Sequence, residues 1–168
     1  EGDQVSTKTG EVIWGTAGTN SQHSYFQLLH QGTQFVPIDF IAVAKTVSKS
    51  SHHEERHNHL LANCLSQSLA LMKGKSEPQN KHKDMAGNKP SNTLLIEELN
   101  PFTLGSIIAL YEHKTFAQSI LWNINAFDQW GVELGKILSK TLYEELTSSS
   151  VSDNLDSSTK NLIELIKK

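Results

Sequence analysis

Cysteine is nearly absent. Cys64 stands alone among 168 residues, so no internal disulfide can brace the fold. The thiol lies in a helical apolar pattern and reads as a small buried hydrophobe, which suits a reducing cytoplasm. Neither sign of charge dominates: 15 Lys and Arg face 18 Asp and Glu, for a formal charge of −3 and a pI near 6.2. That balance offers no basic field for nucleic acid or for an anionic membrane. No apolar run is long enough to cross a bilayer. The opening Glu1-Gly2-Asp3-Gln4 has no basic n-region and no apolar h-region, so it is not read as a signal peptide. An initiating Met is also missing, which suggests an excised piece of a longer protein. What is present, 37% hydrophobic and 20% charged residues, predicts one soluble globular domain with room for a sizeable core.

The richest stretch is 125–136, Asn-Ala-Phe-Asp-Gln-Trp-Gly-Val-Glu-Leu-Gly-Lys. Asp128 is a good N-cap candidate, since its carboxylate can accept from the free amides of a first helical turn. Beyond it Gln129, Val132, Glu133 and Lys136 fall at i, i+3, i+4 and i+7 and share one helical face. Two turns put Gln129 and Lys136 about 10 Å apart, the span of a small sugar phosphate. Gly131 and Gly135 are poor helix formers, which suggests that something approaches this backbone closely.

Elsewhere strands and helices alternate. Val12-Ile13-Trp14 reads as a short buried strand, followed by a polar loop with N-cap candidates Asn20 and Ser21. The helix they open would hold His23 in its first turn, where the dipole favours a neutral, proton-accepting imidazole. The near-continuous apolar run 35–44 predicts a strand buried on both faces, with Pro37 at its start. His53-Glu54-Glu55-Arg56-His57 spells the H-E-x-x-H zinc-protease pattern. The run is wholly polar and lacks a third ligand downstream, so the histidines read as the solvated start of a helix ending at Lys73-Gly74. Ser76 to Ala86 predicts an exposed loop and is the best candidate for disorder. Thr93 to Ile96 is a further strand. Asn100-Pro101 then opens a helix apolar on most sides, and hence buried. Whether Phe116 to Ile124 continues as helix or strand is open. Asp156 caps a last amphipathic helix.

The run from Phe127 to Lys136 resembles a signature of the phosphoglucose isomerase family. The block Gly18-Thr19-Asn20-Ser21-Gln22-His23, continuing to Gly32, is similar to a second one. Further likeness lies in Pro37-Ile38-Asp39-Phe40, in His52-His53 through Leu60-Leu61-Ala62-Asn63, and in Gly87-Asn88-Lys89-Pro90. It goes on through Tyr111-Glu112-His113-Lys114 to the C-terminal tail. There are departures. Ala17 replaces the family's loop proline, Ile38 a cysteine and Lys89 an arginine, and the 76–86 segment looks pruned.

The resemblance implies an α/β fold, a three-layer sandwich with a central parallel sheet of sugar-isomerase (SIS) type, plus C-terminal helices. It implies residues 1–125 as a second SIS domain and 126–168 as a C-terminal helical segment carrying a catalytic lysine. The implied reaction is metal- and cofactor-free aldose–ketose isomerisation between glucose 6-phosphate and fructose 6-phosphate, in glycolysis and gluconeogenesis. His23 and Lys136 would open the sugar ring and Gln129 would bind substrate. The enzyme would be a cytoplasmic homodimer, with His23 donated to the partner's site, and would engage neither nucleic acid nor membrane. The family's proton-transferring carboxylate belongs to a Glu-Ser-Asn-Gly motif that is absent from these 168 residues, so the piece is expected to be inactive alone. The competing reading is a non-catalytic sugar-phosphate-binding module of SIS type, which would not need Lys136 and His23 to converge.

Overall fold

A computed structural model describes residues 4–10, 13–46, 48 and 50–168. The chain divides into two compact units, Glu1–Gln118 and Ser119–Lys168. The first holds helices α1 (Gly18–Ser21) and α2 (Phe26–Gln31), strand β1 (Ile38–Val43), helix α3 (Ser51–Lys73), strand β2 (Ser91–Ile96) and most of α4 (Pro101–Trp122). The second holds α5 (Trp130–Thr147) and α6 (Ser157–Ile166).

β1 and β2 pair in parallel, from Ile38 opposite Ser91 to Val43 opposite Ile96, and α3 is the crossover between them. Pro37 sits just before β1, where its missing N–H costs the ladder nothing. The pleat sorts the side chains. Ile38 and Phe40 pack onto Phe26 and Leu29 of α2 and the fully buried Leu71 of α3. Asp39 points to the other face and accepts from Tyr111 of α4. Helices therefore cover both faces of a parallel sheet, the expected α/β layering, with two strands among the described residues.

Several local expectations give way. Ile13 and Trp14 join no ladder, and Ile13 is 85% exposed; Val12 lies outside the described residues. The Trp14 ring instead stands edge-on to Tyr25, centroids 5.4 Å apart. Asn20 and Ser21 cap nothing. The Ser21 hydroxyl bonds back to the Ala17 carbonyl (3.1 Å) and the Ser24 hydroxyl to the Asn20 carbonyl (3.0 Å), so both serve the turn behind them. His23 consequently falls in the turns between α1 and α2, its amide donating to Asn20 O at 3.1 Å, and not in the first turn of a helix.

The 76–84 segment is closed and ordered by its base. Lys75 and Met85 exchange two backbone hydrogen bonds of 2.9 Å, and Gln31 Nε2 donates to the Asp84 carbonyl at 2.9 Å. Gly74 (φ 64°) ends α3 against Gly87 (φ 69°), and a Cβ on Gly74 would lie 2.2 Å from the Met85 carbonyl oxygen.

α4 begins as expected. Asn100 Oδ1 accepts from the Thr103 amide and Thr103 Oγ1 from the Asn100 amide, both at 2.9 Å. The helix runs unbroken to Trp122, which settles 116–122 as helix. It is not a buried helix: Phe102 is 81% and Leu121 82% exposed. In the second unit Asp156 caps α6 as expected, accepting from the Ser158 and Thr159 amides at 3.0 Å. Lys167 Nζ donates to the Glu145 and Ser148 carbonyls and ties the end of α6 to the end of α5. α5 buries no residue at all.

Candidate active site

The first unit has an open cavity of about 840 Å³ lined by residues of the 16–22 turn together with Phe26, Phe40, Asp39, Tyr111 and Lys114. Tyr25 and Ser21 also line it; His23 is exposed on the same turn but is not itself a lining residue. The polar corner is built around Asp39. Its carboxylate accepts from Asn92 Nδ2 (2.8 Å), Tyr111 OH (3.1 Å) and Lys114 Nζ (3.5 Å). Burial pushes the Asp39 carboxyl up, but the hydrogen bonds from Asn92 and Tyr111 and the Lys114 ammonium together hold it below the usual carboxylate range. Lys114 also stands 5.5 Å from the Tyr111 ring centroid.

The other predicted residues belong to α5, in the second unit. Asp128 is not the cap. The N-cap position falls to Gln129 (φ −140°), whose carbonyl takes the first helical bond, from Glu133 N at 2.9 Å. Phe127, in a left-handed conformation (φ 66°), turns the chain before α5 can include Asp128. Val132, Glu133 and Lys136 keep their helical spacing, whereas Gln129 leaves from the helix mouth. Lys136 is exposed. An added Cβ at Gly131 or Gly135 would meet nothing within 4 Å among the described residues, so the close approach that these glycines suggested is not made by them.

The histidine run is otherwise engaged. His57 Nε2 lies 2.8 Å from the Val43 carbonyl at the end of β1, and His53 Nδ1 lies 2.6 Å from Ser48 Oγ. Among the described residues no three His, Cys, Asp or Glu side chains converge on a metal-sized site.

The family model described as phosphoglucose isomerase matches residues 1–163. The chain belongs to the phosphoglucose isomerase family. A glucose-6-phosphate isomerase of Marinomonas sp. is 51% identical over 187 residues, covering 99% of this chain and 33% of the relative. That of Chlorobium luteolum is 50% identical, covering 96% and 32%. The crystal structure of a glucose-6-phosphate isomerase from Chlamydia trachomatis superposes with a TM-score of 0.77 at 38% identity, over 99% of this chain and 31% of that one. The SIS-type α/β fold is thus shared with a phosphoglucose isomerase. This chain spans about a third of the length of the curated relatives it matches. The Marinomonas alignment is also 19 positions longer than the 168 residues here, so at least that many of its positions are gaps in this chain.

Sequence reasoning missed the Asp39 corner. The available signal was an acid inside the apolar run 35–44, because a carboxylate in a strand between two helical layers needs partners. The partners themselves, Tyr111 and Lys114, lie 72 and 75 residues away and carry no local signal.

Proposed function

We propose that this chain supplies part of the active site of an aldose–ketose isomerase interconverting glucose 6-phosphate and fructose 6-phosphate. The observation that carries the reading is the family match over residues 1–163, which takes in both the His23 turn and the α5 signature. Residues 1–125 act as the second SIS domain and 126–168 as the C-terminal segment that brings the lysine. His23 shuttles a proton in ring opening, Lys136 bears charge beside the ring oxygen, and Gln129 binds a substrate hydroxyl or the phosphate end. The exposure of His23 and Lys136 leaves both side chains open to a sugar phosphate, and the bare backbone at Gly131 and Gly135 gives a ligand or a second chain room to come close.

The carboxylate that moves the proton next to the carbonyl, through an enediolate, comes from outside these 168 residues. The working enzyme is a cytoplasmic homodimer of glycolysis and gluconeogenesis in which His23 reaches the partner's site. A coupled assay of glucose 6-phosphate formation tests this. The 168-residue chain alone gives no turnover; a polypeptide of the relatives' full length that contains it does. In that polypeptide His23→Ala and Lys136→Ala each lower kcat by about a hundredfold or more, whereas Gln129→Ala chiefly raises KM. Turnover by the isolated chain, or full turnover without Lys136, would overturn the assignment.

A further inference from the structure

The turn that carries His23 is closed by a side-chain latch. Ser21 is 2% exposed, and its Oγ lies 3.1 Å from the Ala17 carbonyl, 3.3 Å from the Thr16 carbonyl and 2.9 Å from Tyr25 OH. A hydroxyl has one proton to give. With the Ser21 proton committed to a carbonyl, the Tyr25 phenol is the donor to Ser21 Oγ. The result is a relay of two hydrogen bonds, Tyr25 to Ser21 to Ala17, that spans the backbone on both sides of residue 23. Backbone bonds tighten the same turn, from His23 N to Asn20 O (3.1 Å) and from Tyr25 N to Ser21 O (3.1 Å).

The phenol is held at its other end by packing. Trp14 meets the Tyr25 ring edge-on at 5.4 Å and Phe26 stacks on it at 5.8 Å; Phe26 in turn contacts Phe40 of β1 at 6.2 Å. An aromatic series therefore runs from the sheet to the phenol, and the phenol reaches the turn through Ser21. Neither α1, a single turn long, nor the six-residue α2 could fix the turn by helical stability of its own.

We infer that Tyr25 is a positioning residue for His23: its hydroxyl, through Ser21, sets where the imidazole stands when it meets the sugar. The inference rests on the reading of His23 as a ring-opening residue. The effect of Tyr25 is geometric, and a displacement of the order of 1 Å is enough to slow a proton transfer severely.

A double-mutant cycle in the full-length isomerase containing this chain tests it. Tyr25→Phe keeps the ring and its stacking and removes the donor alone. It should lower kcat about tenfold while KM stays within about twofold. Ser21→Ala, which removes the other end of the latch, should do the same. In a His23→Ala background Tyr25→Phe should change nothing further, because the group it places is gone. Wild-type kcat in Tyr25→Phe, or an equal loss in both backgrounds, overturns the positioning role; a general folding defect would show as the second. Wild-type turnover in His23→Ala alone would refute the catalytic role of His23, and the latch would fall with it.

Discussion

Asp39 is the residue whose surroundings say most about what holds the first unit together. Its side chain is 22% exposed and gathers an amide, a phenol and an ammonium from β2 and α4. A carboxylate so partnered has a lowered pKa in the folded chain, so its contribution is present above the ordinary range of about 3.9 and is lost as pH falls through the depressed folded value. Asp39→Asn should cost about 1–3 kcal/mol at neutral pH. Urea midpoints measured from neutrality downward should show wild type and variant converging in acid. A constant gap across that range would mean that the charge of Asp39 contributes nothing. The Lys45–Glu97 pair, by contrast, joins the two strand ends but is largely exposed and worth little. The zinc pattern shows the same limit of reading by letters. Its spacing is helical in fact as in expectation, yet His57 turns to the Val43 carbonyl, a partner 14 residues back that the five-letter pattern does not contain.

Elements were legible where their causes are local. The Asn100–Pro101 start, the Asp156 cap, the Lys73-Gly74 stop and the apolar strand 38–43 each follow from residues within a turn of the boundary. They failed where the cause is distant or self-directed. Ser21 looks like a cap but its hydroxyl bonds to the carbonyl behind it, and Phe127 takes a left-handed conformation that a sequence pattern does not announce. The 76–84 loop is ordered by the Gly74–Gly87 contact at its base, which no periodicity signals. Three substitutions separate these cases by urea denaturation of the chain. Gly74→Ala must enter a left-handed conformation and meet the Met85 carbonyl, and should cost about 2 kcal/mol or more. Asn100→Ala removes a reciprocal cap, at a cost of about 1 kcal/mol. Gly131→Ala has open space and an ordinary helical backbone, and should stabilise the chain by up to about 1 kcal/mol. If the glycine is there for a close approach from outside the chain, the same substitution will lower turnover of the full-length isomerase proposed above. A stabilised variant with undiminished kcat would show that the space is not used.

The chain as a whole leaves far more surface in water than its mass calls for. A compact 18.7 kDa monomer exposes about 8,300 Å², and two separate compact units of these sizes about 9,800 Å². The accessible area here is 13535 Å². Among the described residues the buried apolar side chains are correspondingly few, Phe26, Leu29, Ala42, Leu71 and Ile163, well short of the sizeable core that length alone suggested. On α4 and α5, by contrast, Phe102, Ile108, Leu121, Trp130 and Ile137 are each more than half exposed. Apolar surface of that extent is ordinarily covered by protein, and the relatives of this chain are about three times its length. The sequence could not show this, because apolar helix positions read the same whether their cover comes from within 168 residues or from beyond them. The isolated chain should therefore bind an apolar dye such as ANS and self-associate at micromolar concentration, while a polypeptide of the relatives' full length should do neither through these helices. Replacing Phe102 and Leu121 by Gln in the isolated chain should reduce both effects, since each is over 80% exposed and contributes nothing to its core. In the full-length protein the same pair should cost several kcal/mol of stability by burying unpartnered amides. A monomeric, dye-dark isolated chain would mean that these helices find cover within the 168 residues.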